Sequence, residues 1–159
     1  MAAPQWAVVI EHSALGAWMR GAEFAYPIVN VLHLLGLTLL IGPMLLLDLR
    51  LVGFAKHFPL PEVSAALTRL SVLGLAILLP TGVLLFTADA GPLIQNPVLL
   101  TKLALIALAL LNAVAFRVMW QGRLACWDQE PPLLGRAQAV LSIGAWLIAG
   151  GLGRWIAYS

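Results

Sequence analysis

From Phe24 to Leu47 the chain runs for 24 consecutive residues without a charged side chain. A helix needs about 20 predominantly apolar residues to cross the hydrocarbon core of a bilayer. That run therefore predicts a transmembrane helix over 26–47. Three comparable stretches follow, and they predict further spans over 67–88, 97–117 and 136–156. The expected fold is an all-α membrane protein, a single membrane domain over 1–159 built as a four-transmembrane-helix bundle.

Composition points the same way. Of the 159 residues, 62% are hydrophobic and only 10% are charged, against roughly 25% charged in soluble domains. So much apolar surface needs lipid to cover it, and four spans leave no room for a separate soluble domain. The net charge of +2 does not make a nucleic-acid binder, because the nine basic residues are spread over membrane flanks and form no patch. The single cysteine, Cys126, has no intrachain disulfide partner. Met1 to Ser13 carries no basic stretch before its apolar residues, so no cleavable signal peptide is expected.

Local signals place several helix ends. Asn96-Pro97 is a start signal: the amide side chain caps free N–H groups, and proline suits the first helical position. Pro59, Pro61 and the Pro131-Pro132 pair interrupt the segments before the second and fourth spans. Pro43 and Pro80 fall inside spans, where they predict kinks. Trp155 and Tyr158 stand where an interfacial aromatic belt is expected.

Ahead of the first span, Gln5 to Ala22 predicts an interfacial helix. At 100° per residue, His12, Ser13, Gly16, Arg20 and Glu23 share one sector, while Trp6, Ile10, Ala14, Ala17 and Trp18 lie mostly opposite, although Glu11 falls among them. Orientation follows from the basic residues. The loops joining spans one to two and three to four carry Arg50, Lys56, Arg69, Arg117, Arg123 and Arg136; the other side has Arg20, Lys102 and Arg154. That bias predicts those loops in the cytoplasm, both termini outside, and Cys126 on the reducing side.

Ionisable residues within a span point to function. His33 lies about seven residues into the first span, roughly 10 Å deep, and Lys102 about five residues into the third, roughly 7.5 Å deep. Arg154 falls near the end of the fourth span, so three basic groups from three helices share one half of the bundle, with Asp89 the nearest acid. Tyr26, Asn30 and His33 follow i, i+4, i+7 spacing and predict a polar stripe facing protein or a cavity. Asp48 and Arg50 predict a boundary ion pair, Asn112 an interhelical hydrogen bond, and Gly36, Gly42, Gly74 and Gly82 close helix packing. The chain has no second intramembrane histidine to complete a bis-imidazole haem site, and no His/Cys/Asp cluster at metal-ligand spacing.

Several segments together resemble a family. Tyr26-Pro27, Asn30 to Gly36, Asp48 to Gly53, Thr81-Gly82 to Phe86, Asn96-Pro97 with Lys102 and Asn112, and Gly153 to Tyr158 are similar to an uncharacterised group of small four-helix bacterial membrane proteins. More distantly, a histidine in the first span with a lysine early in the third resembles two other groups. One is the membrane domain of copper-resistance protein D; the other is the four-helix membrane protoporphyrinogen oxidases, which are associated with haem. The second resemblance implies functional roles at His33 and Lys102. The sequence departs from it at Ala115-Phe116-Arg117, where the third span ends without a histidine.

The leading functional expectation is a haem- or porphyrin-associated redox membrane protein. His33 would be an axial ligand of haem b or a polar contact, with Tyr26 and Asn30 on the same stripe and Lys102 and Arg154 pairing with propionates. The first alternative is copper or small-solute transport, with Met44, Met119 and Cys126 as soft ligands along a path. The second is an assembly subunit that docks a periplasmic redox partner through its interfacial helix. A homo-oligomer would bring two copies of His33 together.

Overall fold

In the computed structural model, which describes residues 3–155 apart from the side chain of Arg154, every regular element is a helix. Two short helices, α1 (Gln5–Glu11) and α2 (Ala14–Gly21), precede the first long one, α3 (Ala25–Val52). Then come α4 (Leu60–Ala88), a short α5 (Ala90–Gln95), α6 (Pro97–Trp120), a 3-10 segment (Gln121–Cys126) and α7 (Leu133–Trp155). The helices α3, α4, α6 and α7 are long and apolar enough to cross a membrane. The protein is thus an all-α, four-span, multi-pass membrane bundle. Tyr158, expected in an aromatic belt, lies outside the described residues.

The spanning helices exceed the apolar runs that announce them. At 1.5 Å per residue, 23 to 29 residues make about 35–44 Å, against a hydrocarbon thickness of about 30 Å. Helix α3 continues five residues past Leu47 because the added polar side chains find places inside the protein. It stops at Gly53, whose φ of 117° is left-handed; Gly53 N–H bonds to Arg50 O and Phe54 N–H to Leu49 O. That is a Schellman ending, and it requires glycine. Helix α6 starts where expected: Asn96 Oδ1 accepts from Val98 N at 2.8 Å and Leu99 N at 3.4 Å, with Pro97 at the first position. Pro43 and Pro80 remain inside continuous helices.

The segment 5–22 is not one helix. It breaks at His12-Ser13, where the Ser13 hydroxyl caps α2 by accepting from Gly16 N at 3.2 Å. The break resolves the misfit of Glu11 on an apolar face, since its carboxylate now accepts the N–H of Gly91 in α5 at 2.7 Å. A β-carbon on Gly16 would collide with the backbone carbonyls of Glu11 and Thr87, so α2 sits directly on the end of α4. Ala7 and Met19 are fully buried there. Both helices therefore pack across the end of the bundle at which α3 begins and α4 finishes, here called the N-terminal end; the opposite end, with the α3–α4 and α6–α7 connections, is the loop end.

Packing along the bundle is uneven. Helix α3 lies close against α4 and α7, and α6 against α7, whereas the backbones of α4 and α6 stay apart and meet through side chains. The α3–α4 crossing is a glycine contact: a β-carbon on Gly74 would fall 2.6 Å from the backbone of Leu39 and 2.8 Å from Gly36 O. Backbones approach this closely only through small residues. Gly42, by contrast, faces open space. Buried residues form three layers: Met19, Ala25, Val29 and Ala88 at the N-terminal end; Leu40, Ala109 and Trp146 in the middle; Leu47, Leu51, Leu60, Trp120, Leu124, Trp127 and Ala139 at the loop end. Helix α6 is the least covered, with exposed Leu103, Leu108, Leu111, Val114 and Val118 that suit lipid.

Candidate functional site

At the N-terminal end His33 points across α3 onto α4. Its Nδ1 lies 2.9 Å from Thr81 Oγ1, and Gly82 leaves room for the ring, whose Cε1 would be 3.2 Å from a β-carbon there. The Thr81 hydroxyl donates its one hydrogen to Ile77 O at 2.7 Å, with Leu78 O at 3.2 Å. With that hydrogen on Ile77 O the hydroxyl oxygen accepts from His33, the tautomer that carries its hydrogen on Nδ1 and a lone pair on Nε2. That donor chemistry fits an iron ligand or a hydrogen-bond acceptor. Lys102, half-buried on α6, rests its Nζ against Gly153 of α7 and lies within electrostatic reach of His33. Among the described residues the ammonium has no hydrogen-bond or ion-pair partner.

So the structure brings His33, Thr81, Gly82, Lys102 and Gly153 together from four spans. Tyr26 and Asn30 do not join them; they stay exposed on the flank of α3. Asp89 is exposed and forms no ion pair with Lys102. Arg154 stands in the last turn of α7, one residue beyond Gly153, and its side chain lies outside the described residues. Among those residues no group of three or more His, Cys, Asp or Glu could hold a metal ion. The cavities described below, both at the opposite end of the bundle, do not include His33 or Lys102.

The loop end is built differently. Asp48 and Arg50 do not pair with each other, because residues two apart on a helix point to opposite sides. Arg50, 3% exposed, instead reaches the loop before α7: Nη2 bonds Asp128 Oδ2 at 2.6 Å and Nη1 bonds Oδ1 at 2.9 Å. It also donates to Phe58 O at 3.0 Å and Lys56 O at 3.3 Å. These bonds tie both connecting loops to the end of α3, and Arg50's hydrogen bonds hold the Asp128 carboxyl below the ordinary carboxylate range. Trp127 adds a second tie, its indole N–H donating to Leu51 O at 3.1 Å while its ring packs edgewise on Phe116 and Trp120.

Asp48 faces inward. It is 4% exposed, and Oδ2 has no partner among the described residues; Ser142, 2% exposed, has an unpartnered Oγ. Both line a cavity of about 60 Å³ enclosed by α3, α4, α6 and α7. Polar groups converge on it from every span. Arg117 of α6 donates Nη1 to Thr68 Oγ1 at 2.9 Å and Ser64 Oγ at 3.4 Å, both on α4. Asn112 donates to Gln138 O at 3.0 Å, and Gln138 Oε1 accepts from Trp120 Nε1 at 2.7 Å. A wider cleft of about 250 Å³ opens beside the 3-10 segment, lined in part by Pro61, Gln121 and Gly122. Ser64 and Arg117 line both spaces, so they form the partition between cleft and inner chamber.

Sequence reasoning missed this chamber by treating Asp48 as half of a boundary pair. The signal was present as i, i+4 polar pairs at one depth, Ser64 with Thr68 and Gln138 with Ser142.

A polytopic helical bundle with a polar chamber sunk into one half is the class of protein these features define. Within that class the chain belongs to the family of unknown function DUF6644, matched over residues 6–159. No curated protein and no solved structure matches it.

Proposed function

We propose that this protein is a small-solute passage of a bacterial inner membrane, with the Asp48 chamber as its loading site. The observation that carries the reading is a pair of buried neighbouring oxygens, Asp48 Oδ2 and Ser142 Oγ, neither with a hydrogen bond among the described residues, in a chamber whose outer wall is shared with an open cleft. Leaving a buried polar group unpaired costs about 1–3 kcal/mol, and more for a charge. Such groups at membrane depth line substrate and ion pathways. In this reading the loop end faces the cytoplasm and both termini the periplasm, as the six-to-three distribution of basic residues favours. The middle layer of Leu40, Ala109 and Trp146 is the closed part of the path. Met44 also lines the chamber, which keeps Cu(I) among the candidate solutes.

Flux assays in proteoliposomes test this, with protons, alkali cations, Cu(I) and small carboxylates as probes. Wild-type protein should carry at least one of them and Asp48→Asn should not; leakage equal to that of protein-free vesicles for all of them would refute the passage.

A second reading, a haem- or porphyrin-associated protein, draws support from His33 beside the Lys102 ammonium, which has no partner among the described residues. An absorption spectrum of protein purified from haem-replete cells, before and after dithionite, decides it. A Soret band that is lost in His33→Ala supports this reading, and a featureless spectrum removes it.

A further inference from the structure

Resting on the passage reading above, we infer that Asp48 is a proton-exchanging carboxyl, loaded from the loop end past Arg117, and that the coupled species is therefore the proton. Asp48 is held between two opposed influences. Burial and the unpartnered Oδ2 favour the neutral acid, since a buried carboxylate without donors is strongly disfavoured. The Ser142 hydroxyl beside the carboxyl favours the ion by donating to it, while Arg117 lines the same chamber but directs Nη1 to Thr68 and Ser64 and forms no ion pair with Asp48. Neither form is locked, which is the requirement for exchange.

The other charged groups around Asp48 are accounted for. Arg50, two residues further along α3, is bound to Asp128. Arg136 of α7 lies near Gly53, with a buried, unpartnered Nε, and does not line the chamber. From α4 only hydroxyls face the chamber, so Arg117 is the one cation that lines it among the described residues.

Water completes the route. A chamber of about 60 Å³ with several polar walls has room for water, which needs two to four such partners. A hydronium formed in the cleft transfers its proton along that water. An O–H bond forms on Asp48 Oδ2 as one breaks on the hydronium, and a neutral water remains. The chamber passes from a balanced Asp48 and Arg117 pair to a net charge of +1. The Ser142 hydroxyl stands beside the Asp48 carboxyl without a hydrogen bond of its own among the described residues, so it is placed to accept from the new acid and to donate to the carboxylate.

Infrared difference spectra of the full chain in lipid nanodiscs, recorded across a pH titration in H2O and D2O, test the inference. A protonated-carboxyl stretch that shifts in D2O should appear as pH falls and be missing from Asp48→Asn. In Arg117→Gln its midpoint should move to higher pH, because a cation favouring the carboxylate is gone. Should Asp48→Asn not fold, Ser142→Ala retains the carboxyl and should also move the midpoint upward, by removing a donor to the ion. A wild-type spectrum with no pH-dependent carboxyl band overturns the inference, as does a midpoint that moves with sodium concentration. A titrating band in protein that carries no flux upholds the proton site while removing the passage; flux without such a band does the reverse.

Discussion

The two ends of the bundle handle polar groups in opposite ways. At the N-terminal end they are settled one at a time: Glu11 on the N–H of Gly91, Arg20 on Ala88 O at 2.8 Å, His33 on Thr81. Lys102 is left half-buried and Tyr26 and Asn30 exposed. At the loop end the outer groups are closely interlocked through Arg50, Asp128 and Trp127, and immediately inside that lock is a chamber with two unpaired oxygens. Tight closure around an unsatisfied interior is costly, and proteins keep such arrangements where they act. The N-terminal end satisfies its polar groups singly; the loop end interlocks them around two that are left without a hydrogen bond among the described residues.

If that contrast is sound, damage at the loop end should cost more than damage at the N-terminal end. The largest effect is expected from Asp128→Ala, which strands the buried Arg50 guanidinium. We expect a loss of about 2–3 kcal/mol in detergent unfolding, below the full cost of an unpaired buried charge because Asp128 is itself partly exposed. The same pair predicts pH dependence. The carboxyl is depressed when folded, so its contribution is complete above the unfolded value of about 3.9 and is lost as pH falls through the lower folded value. Unfolding temperatures of wild type should therefore drop in acid more steeply than those of Asp128→Asn.

Next in size is Gly74→Ala. Its methyl group would press on the α3 backbone, and such overpacking costs about 1–3 kcal/mol. Gly42→Ala, which meets open space, should leave the unfolding temperature unchanged and so controls for the crossing. Ser13→Ala removes the cap of α2 and should cost about 1 kcal/mol. The smallest effect is expected from Lys102→Ala, within about 0.5 kcal/mol, since no described partner is lost. A Lys102→Ala loss larger than that of Asp128→Ala would reverse the comparison.

The spans were readable because their signal is local: length and hydropathy report the solvent, not the neighbours. The start of α6 was equally readable, since Asn96 and Pro97 act within one turn. The segment 5–22 was misjudged as one helix because amphipathic periodicity continues across His12-Ser13, and only the docking of Gly16 on Thr87 O makes a break favourable. The pairing of Asp48 with Arg50 failed for a related reason: closeness in sequence was taken for closeness in space, although successive helical positions diverge. At the other end, depth counting did bring His33 and Lys102 into the same half of the bundle, but it did not reveal that Tyr26 and Asn30 turn outward.

What the sequence determined by itself is the class of structure, four apolar helices with polar ends, because a bilayer accepts little else from a chain that is 62% hydrophobic. What only the tertiary structure decided is which polar groups meet. Rotation of each helix about its axis follows from contacts such as Gly36 on Gly74, and those contacts turned Asp48 and Ser142 toward one chamber while the backbones of α4 and α6 stayed apart. Hydropathy is nearly blind to that rotation, since every face of such a helix is apolar enough for lipid; close packing at small residues is not.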